Sequence, residues 1–222
     1  MLARYVLIVA GGSGRRMETE VPKQFLLLNG KPVLMHTFEV FYRFSSTISF
    51  VLVLPDNEIA LWKQLCMDYS FTIPHYIVTG GDTRFQSVKN GLSLIKEECI
   101  VAVHDGVRPL TSIATIEKAF AKAELHGNAV PVIPVNESLR EMIGQKSAPA
   151  DRSRFFIVQT PQCFRISLLK EAYKQTYQEG FTDDATVVEA LGETIHLTEG
   201  NFENIKITYP TDLKIAWGLI GK

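Results

Sequence analysis

The sequence lacks several features that would assign it to a special class of protein. Its 222 residues include only three cysteines, Cys66, Cys99 and Cys163, which lie far apart and form no CxxC pair. This sparse set predicts no disulfide framework and favours a reducing cytoplasm. The five histidines show no zinc-ligand spacing such as HExxH. A formal net charge of −1 provides no overall field to attract nucleic acid or an anionic membrane. Any phosphate binding must therefore come from locally placed cations.

Long apolar runs are also missing. The first run, residues 5–10, is cut off by Gly11 and Gly12, too early for a signal or membrane-spanning segment, so we expect a buried strand there. With 46% hydrophobic and 21% charged residues, the composition is that of an ordinary globular protein. The length predicts one domain over residues 1–222.

Short apolar runs alternate with longer amphipathic stretches along the chain. We expect strands at residues 5–10, 49–54, 75–78, 100–104, 129–135 and 194–198. We expect helices at residues 32–44, 57–69, 83–96, 112–126, 166–178 and 183–191, and a last helix from Pro210. Strands that are apolar throughout are buried on both faces, which is typical of parallel sheets. The alternation predicts a doubly wound α/β fold with a largely parallel sheet.

The alternation is interrupted at residues 136–157, a polar stretch of mixed charge that contains Gly144 and Pro149. Its few apolar residues cannot bury a helix of their own. The stretch predicts a projecting hairpin arm with its turn near residues 144–148. A projecting arm needs a surface to lie on and so points to a dimer; a loose surface loop is the alternative.

A glycine-rich string, AGGSGRRM at residues 10–17, directly follows the first predicted strand. Glycines at a strand-to-helix turn let backbone N–H groups approach an anion, and the helix start favours negative charge. Arg15, Arg16 and the nearby Lys23 bracket this turn, as binding of a triphosphate with magnesium requires. The string is not a Walker loop, because no GxxxxGK(S/T) occurs. It is not a dinucleotide fingerprint either, because Met17 occupies the place of the third glycine of GxGxxG. A solvated charged loop is the alternative.

Two further strings lie at the carboxyl ends of predicted strands. In GGDTRFQS at residues 80–87, Asp82 is expected to cap the next helix, and the glycine backbone with Ser87 is suited to reading a base edge. A plain capped helix is equally compatible with it. In HDGVRP at residues 104–109, Asp105 and Arg108 are suited to holding a hydroxylated phosphate compound. Asp105 could instead bind magnesium, or the two could form a surface ion pair. His104 is expected to be structural.

Three shorter strings start or end predicted elements: QTPQ at residues 159–162, FTDDA at 181–185 and NIKIT at 204–208. Thr182 or Asp183 would cap the following helix. A strand through Lys206 would point it away from both flanking isoleucines, where a buried lysine needs an anion nearby. On an edge strand it would lie in water.

In order and spacing, these strings resemble the 2-C-methyl-D-erythritol 4-phosphate cytidylyltransferases of the non-mevalonate isoprenoid pathway. The strings are AGGSGRRM, PKQF, GGDTRFQSV, HDGVRP, QTPQCF, TDDA and NIKIT, and together they cover nearly the whole chain. Each string is loose, and their order carries the specificity. The resemblance implies a Rossmann-like nucleotidyltransferase fold with a β-arm.

The resemblance also implies roles for individual residues. In that family the glycine loop holds the CTP triphosphate, while a loop arginine and the PKQ lysine stabilise the transition state. The implied catalytic residues are Arg16, Lys23, Arg152 and Lys206. The implied nucleotide-binding residues are Ala10, Gly11, Gly12, Gly14, Gly81, Asp82, Ser87 and Gly106. The implied acceptor-binding residues are Asp105, Arg108, Ser138, Arg140, Thr160 and Thr182.

The family forms a homodimer whose arms cross, so Arg152 would serve the neighbouring subunit's site. Arg152 is preferred to Arg154 because it lies eight residues before Thr160. Two departures from the family pattern stand out. Ser138 occupies a position where the family usually has threonine, and Gly106 one where it usually has alanine.

The implied reaction transfers CMP from CTP to a sugar-alcohol phosphate and releases pyrophosphate. The acceptor's phosphate monoester is already anionic at neutral pH, so no general base is needed. Catalysis would rest on alignment and charge neutralisation. Magnesium would bind mainly through the CTP phosphates, with no dedicated protein ligands. A ribitol 5-phosphate cytidylyltransferase and a nonenzymatic nucleotide-binding regulator are the alternatives; the failed fingerprint disfavours an NAD-dependent oxidoreductase.

Overall fold

A computed structural model describes residues 2–11 and 21–220, and the structural statements below concern those residues. The chain begins with strand β1 (Ala3–Val9), a short hairpin of β2 (Leu27–Leu28) and β3 (Lys31–Pro32), and helix α1 (Val33–Phe44). The next elements are β4 (Ser49–Leu54), α2 (Asp56–Asp68), β5 (Tyr76–Thr79), α3 (Arg84–Leu92), β6 (Cys99–Asp105), α4 (Ile113–His126) and β7 (Asn128–Pro134).

The second half of the chain is more irregular. Its elements are β8 (Leu139–Ile143), β9 (Lys146–Ala150), β10 (Phe156–Val158), β11 (Gln162–Arg165), α5 (Ile166–Ala172), α6 (Asp184–Glu189), β12 (Leu197–Glu199) and α7 (Pro210–Ile220).

The central sheet runs in the order β10-β7-β11-β6-β1-β4-β5, with β12 beside β7. Strands β6, β1, β4 and β5 are mutually parallel, and β12 is parallel to β7. Strand β11 is antiparallel between β6 and β7, and β10 is antiparallel to β7. The register places Leu7 between Val51 and Val103. The predicted largely parallel sheet is confirmed, while the antiparallel insertion of β11 was not predicted.

Helices cover both faces of this sheet. One core cluster joins the sheet to α1, α2 and α4 and includes Phe38, Trp62 and Phe120. The other joins it to α3, α5 and α6 and includes Phe85 and Phe164. Successive side chains along a buried strand point to opposite faces of the sheet, so they join the two clusters alternately. The predicted doubly wound arrangement is confirmed.

Capping side chains explain where several helices begin. The Ser112 hydroxyl accepts a hydrogen bond from Thr115 N–H, and α4 ends at Gly127, whose φ is 90°. Asp183 caps α6 through Thr186 N–H. The prediction that Asp82 caps α3 is wrong, because the Thr83 hydroxyl accepts the bond from Gln86 N–H. The predicted helices at residues 83–96 and 166–178 are shorter, ending at Leu92 and Ala172.

The polar interruption forms the predicted hairpin. Strands β8 and β9 pair only with each other, from Leu139 opposite Ala150 to Ile143 opposite Lys146, with the turn at Gly144. The arm exposes Met142 and Ile143. Within residues 2–11 and 21–220, no helix is long and apolar enough to cross a membrane.

Candidate active site

The ends of β1 and β6 meet where the order of the parallel strands changes direction. From β1 the chain continues on one side to β4 and β5, and later returns to β6 on the other side of β1. Open α/β sheets bind ligands outside the carboxyl ends of the strands at this kind of switch point. A cleft of about 240 Å³ lies there.

The cleft brings together residues from four distant parts of the chain. Eight predicted site residues line it: Ala10, Gly11, Lys23, Gly81, Asp82, Ser87, Asp105 and Lys206. Five of its lining residues were not predicted as site residues: Val9, Gln24, Thr83, Arg84 and Val107. The other predictions of the glycine loop, Gly12, Gly14 and Arg16, lie outside the described residues.

The end of β1 is held by hydrogen bonds to both backbone groups of Ala10. Its N–H donates to Val53 O at 3.0 Å, and its carbonyl accepts from Gln24 Nε2 at 2.8 Å. Gln24 lies in the 3₁₀ turn Lys23–Phe25, which follows Pro22. Phe25 stacks on Trp62 of α2, with ring centroids 6.2 Å apart. The turn is thus fixed, and with it the position of Lys23 beside the cleft.

The turn between β5 and α3 presents backbone groups to the cleft. Gly80 N–H donates to Leu54 O at 2.8 Å, and Gly81 N–H donates to the Ser87 hydroxyl at 3.0 Å. A Cβ built on Gly81 would lie 2.2 Å from Gln86 Cγ, so a larger residue does not fit without rearrangement. Ser87 is buried and lines the cleft. Because its hydroxyl accepts the bond from Gly81, Ser87 also fixes the shape of the turn.

Arg84 is a cation of the cleft lining with a buried partner. Its two terminal nitrogens donate to the two carboxylate oxygens of Asp184, at 3.0 and 2.6 Å. Tyr173 donates its hydroxyl to Asp184 at 2.6 Å. Bidentate pairing fixes the guanidinium plane. Asp184, the second aspartate of the TDDA string, therefore ties the turn between β5 and α3 to helix α6.

Asp105 is the buried anion of the cleft, with 8% of its surface exposed. Its Oδ2 accepts from Arg108 Nε at 3.0 Å and lies 3.1 Å from Lys206 Nζ. Burial alone would raise the pKa of the Asp105 carboxyl, but Lys206 and then Arg108 outweigh burial and hold the pKa well below its usual range. Asp105 is therefore ionised throughout the physiological pH range.

Lys206 lies on an extended segment that forms no strand in the described part of the chain, so a strand through Lys206 is wrong. The expected alternation is nevertheless present: Ile207 is buried and its N–H donates to Val107 O at 2.9 Å. Lys206 points to the cleft and finds its anion in Asp105.

His104 and Thr160 form a hydrogen-bonded chain behind Asp105. Asp105 N–H donates to Thr160 Oγ1 at 3.1 Å, and Thr160 Oγ1 lies 2.9 Å from His104 Nδ1. His104 Nε2 lies 3.1 Å from Arg108 O, which can only accept, so Nε2 carries the proton and Nδ1 accepts from Thr160. Burial lowers the pKa of His104 to about 4. This neutral imidazole has the surroundings of a structural residue.

Outside the arm, four predicted site residues are not among the cleft-lining residues: Gly106, Arg108, Thr160 and Thr182. Arg108 and Thr160 support Asp105 from behind, and Arg108 also donates to Asn204 O at 2.7 Å. Thr182 is exposed before α6. At Gly106, an added Cβ would lie 2.8 Å from Ala10 Cβ, so this glycine permits the close approach of β1 and β6.

The predicted site residues of the arm are also remote from the cleft lining of their own chain. Arg140 donates to Ser147 on the facing strand, and Arg152 donates to Asn136 O. Ser138, Arg140 and Arg152 are all exposed or half-buried on the arm. Nothing in this single chain tests the prediction that they reach a neighbouring subunit.

The carboxylates of the cleft do not form a metal cage. Among the residues that the structure describes, no three His, Cys, Asp or Glu side chains cluster to hold a metal ion. Asp105 is engaged by two cations, and Asp82 is the other carboxylate among the lining residues that the structure describes. This donor set fits a magnesium ion carried on phosphate oxygens, since magnesium is commonly bound by one or two carboxylates plus substrate phosphates.

Comparison with known proteins gives a consistent result over the whole chain. The sequence profile of a family described as IspD, 2-C-methyl-D-erythritol 4-phosphate cytidylyltransferase, matches residues 5–222. Proteins of that name from Phocaeicola vulgatus and Bacteroides thetaiotaomicron are 52% and 49% identical to the chain, over 98% and 97% of it and 99% and 98% of their own lengths. The crystal structure of the Thermus thermophilus protein of that name superposes with a TM-score of 0.79, at 31% identity, over 98% of each chain.

Proposed function

This chain belongs to the IspD family of 2-C-methyl-D-erythritol 4-phosphate cytidylyltransferases, and from that premise we propose how its cleft transfers CMP from CTP to 2-C-methyl-D-erythritol 4-phosphate. The nucleotidyltransferase fold expected from the sequence is that of its structural relatives. The reaction supplies an intermediate of isoprenoid biosynthesis.

An oxygen of the acceptor's phosphate monoester attacks the α-phosphorus of CTP in line. The new bond joins that oxygen to the α-phosphorus, and the bond from the α-phosphorus to the β-phosphate oxygen breaks, so pyrophosphate leaves. The attacking oxygen carries no proton at neutral pH, and no base has to remove one. Rate acceleration then depends on alignment and on stabilising the charge that develops at the α-phosphate.

The observation that carries the proposal is the convergence of Lys23 and Lys206 on one cleft beside the backbone of Ala10 and Gly11. Lys23 is buried and held by the turn that Pro22 begins, so its ammonium is the group best placed to meet charge on the triphosphate. Arg16 is proposed to complete this clamp from the glycine loop. Such preorganised cations stabilise a phosphoryl transition state without reorganising during the reaction.

The acceptor is proposed to bind at the Asp105 side of the cleft. The ionised carboxylate accepts hydrogen bonds from hydroxyl groups, and Lys206, 3.1 Å from it, attracts the acceptor's phosphate. Arg108 and Thr160 hold Asp105 rather than the acceptor itself. Thr182 would contact the acceptor only if it moved inward, because it does not line the cleft.

The base of CTP is proposed to lie against the turn from Gly81 to Ser87. Backbone groups of a glycine turn and the hydroxyl of Ser87 can pair with the amine and carbonyl of cytosine. The bond from Gly81 N–H to Ser87 supports this role because it fixes the turn's shape. A uracil ring, which presents a carbonyl in place of the amine, would leave a buried group unpaired.

The proposal also includes a magnesium ion, a second subunit and a cytoplasmic location. Magnesium bound to the CTP phosphates would neutralise charge between the leaving and transferred groups. The exposed arm, with Ser138, Arg140 and Arg152, is proposed to lie across a second copy of the chain and to deliver Arg152 to its acceptor phosphate. The three cysteines have no disulfide partners, which suits a reducing compartment.

The decisive assay measures pyrophosphate release from CTP with magnesium and each candidate acceptor. We expect turnover with 2-C-methyl-D-erythritol 4-phosphate, and little with ribitol 5-phosphate or with no acceptor. Preference for ribitol 5-phosphate would identify the other sugar-alcohol cytidylyltransferase. CTP binding without any turnover would favour a nonenzymatic nucleotide-binding protein and contradict the proposal.

A further inference from the structure

The side chain of Gln24 joins three elements that meet at the cleft. Its Nε2 donates one hydrogen bond to the carbonyl of Ala10 at 2.8 Å and another to the carboxylate of Glu58. Gln24 is fully buried and lines the cleft. Ala10 directly follows β1, Gln24 belongs to the Lys23–Phe25 turn, and Glu58 lies in the first turn of α2.

The chemistry of the partners fixes the orientation of this amide. The backbone carbonyl of Ala10 can only accept a hydrogen bond, so the NH₂ group of Gln24 faces it, and the same nitrogen donates to the Glu58 carboxyl group. Its Oε1 is buried and has no hydrogen-bond partner within residues 2–11 and 21–220. An unpaired buried oxygen destabilises a fold, and an apolar side chain of similar length would avoid that cost. The hydrogen bonds of this amide are therefore those of its nitrogen, to Ala10 and to Glu58.

Glu58 is a carboxylate in an unfavourable place. It is 9% exposed, and burial raises its pKa while the hydrogen bond from Gln24 acts in the opposite direction. Buried carboxylates destabilise a protein unless they are paired. The Glu58 side chain is not in the cleft lining, so it does not meet a ligand there. Among residues 2–11 and 21–220, Glu58 reaches the site through its hydrogen bond with Gln24.

We propose that Gln24 and Glu58 are positioning residues for cytidylyl transfer: their hydrogen-bonded pair holds the Ala10 carbonyl, and so the start of the glycine turn, in fixed register with Lys23. The inference rests on the proposed function. Lys23 directly precedes Gln24 in one short turn, so a shift of the amide moves the lysine as well. Misplacing a catalytic group by about 1 Å costs on the order of 10²-fold in rate.

The test compares Gln24→Met with a control that loses an equally buried amide elsewhere. Asn128 is 2% exposed and bridges Thr194 O and His196 N–H, on the far strand β7. We expect Gln24→Met to lower kcat by roughly 30–100-fold, with a smaller change in the Kd for CTP. Asn128→Leu should lower Tm by a similar amount and leave kcat within about 2-fold of wild type.

Conservative changes separate positioning from bulk stability. Glu58→Gln keeps an acceptor for the Gln24 amide and should retain kcat within about 3-fold, whereas Glu58→Met removes it and should resemble Gln24→Met. Gln24→Glu places a carboxyl against two acceptors, so it can donate only when protonated. Its kcat relative to wild type should fall as pH rises from about 6 to 9, and that of Gln24→Met should not.

The results separate failure of the inference from failure of the proposed function. If wild type turns over but Gln24→Met keeps its kcat within about 3-fold while Tm falls as in Asn128→Leu, Gln24 is only structural and the inference is wrong. If Gln24→Met does not fold, equal kcat values for Glu58→Met and Glu58→Gln overturn it. A wild type that releases no pyrophosphate with any acceptor would instead refute the proposed function.

Discussion

The cleft and the arm both carry charged and hydroxyl side chains, but they differ in burial. Lys23 and Asp105 of the cleft are buried, whereas Ser138, Arg140 and Arg152 of the arm are exposed. Asp105 is 8% exposed and is held by Arg108 and Lys206. On the arm, Arg140 bonds to Ser147 of the facing strand, and Met142 and Ile143 are 66% and 61% exposed. The cleft is preorganised, whereas the arm presents an apolar surface with charged neighbours that its own chain leaves open.

A second exposed apolar run follows the arm along the chain. Residues 155–158 of β10 and its preceding turn, FFIV, are each 43–51% exposed. Contiguous exposed apolar residues with a polar rim are typical of protein–protein interfaces. The fixed charges that catalysis needs therefore lie in the cleft. We predict that the arm contributes to function only when it lies against a second copy of the chain.

Removing a fixed charge from the cleft should have the largest effect. Lys23→Met and Lys206→Met should each lower kcat by roughly 10²–10³-fold while CTP binding weakens less, because each ammonium stabilises charge that develops in the transition state. Steady-state pyrophosphate release measures kcat, and calorimetric titration measures the Kd for CTP.

The matched control is Lys118→Met, since Lys118 pairs with Glu199 on the exposed surface of α4. Surface pairs contribute little, so kcat should stay close to wild type. If Lys23→Met and Lys206→Met both retained turnover within a few-fold, the cleft would not be the catalytic centre.

Selectivity for cytosine should be the next largest effect. Wild type should prefer CTP over UTP by at least about 10²-fold in kcat/KM, because the buried Ser87 hydroxyl and the turn that it holds are left with an unpaired group when the amine is absent. Ser87→Ala removes the hydroxyl that holds Gly81 N–H and should reduce this preference by about 10-fold. Comparable kcat/KM values for CTP, UTP and ATP with the wild type would contradict the base-reading turn.

A smaller effect should appear in stability as the pH falls. The folded-state pKa of His104 is about 4, below the unfolded value of about 6.5. The unfolded chain therefore binds the proton first. The stabilisation is complete above about pH 6.5 and is lost as pH falls toward 4. Between pH 7 and 5 this group should cost about 2 kcal/mol of unfolding free energy.

Urea denaturation of wild type and His104→Gln at several pH values isolates this contribution. Burial also lowers the pKa values of His36 and His75, so both proteins should lose stability on acidification. The variant should lose about 2 kcal/mol less than wild type between pH 7 and 5. Parallel pH profiles would show that His104 is not buried in its neutral form.

Much of the cleft could be predicted from the sequence because parallel strands end at one edge of a sheet. The strings after β1, β5 and β6 predict Ala10, Gly81 and Asp105 as neighbours, and all three line the cleft. Short-range pattern and strand order together were sufficient for these positions. For Lys206 the sequence left open an anion partner or a position in water; the structure pairs it with Asp105 and leaves 42% of its side chain exposed.

Partnerships between distant residues could not be predicted in this way. Gln24 and Glu58 are 34 positions apart, and Arg84 and Asp184 are 100 positions apart. The hydrophobic periodicity of a single helix or strand carries no information about pairs between distant elements. The antiparallel insertion of β11 was missed because the strand holds only two apolar residues, Cys163 and Phe164, between the polar Gln162 and Arg165. The role of the arm depends on a second chain and stays a prediction.

The most direct measurement of the shared site is complementation between two inactive variants. Lys23→Met disables the cleft and Arg152→Met disables the arm, so a mixed dimer with crossing arms has one site with both lesions and one with neither. After subunit exchange at equal concentrations, pyrophosphate release should recover to about a quarter of wild type, because about half of the dimers are mixed and each has one intact site. If each site were built within one chain, every site would keep a lesion. No recovery despite demonstrated exchange, or a monomer at assay concentrations, would contradict the account.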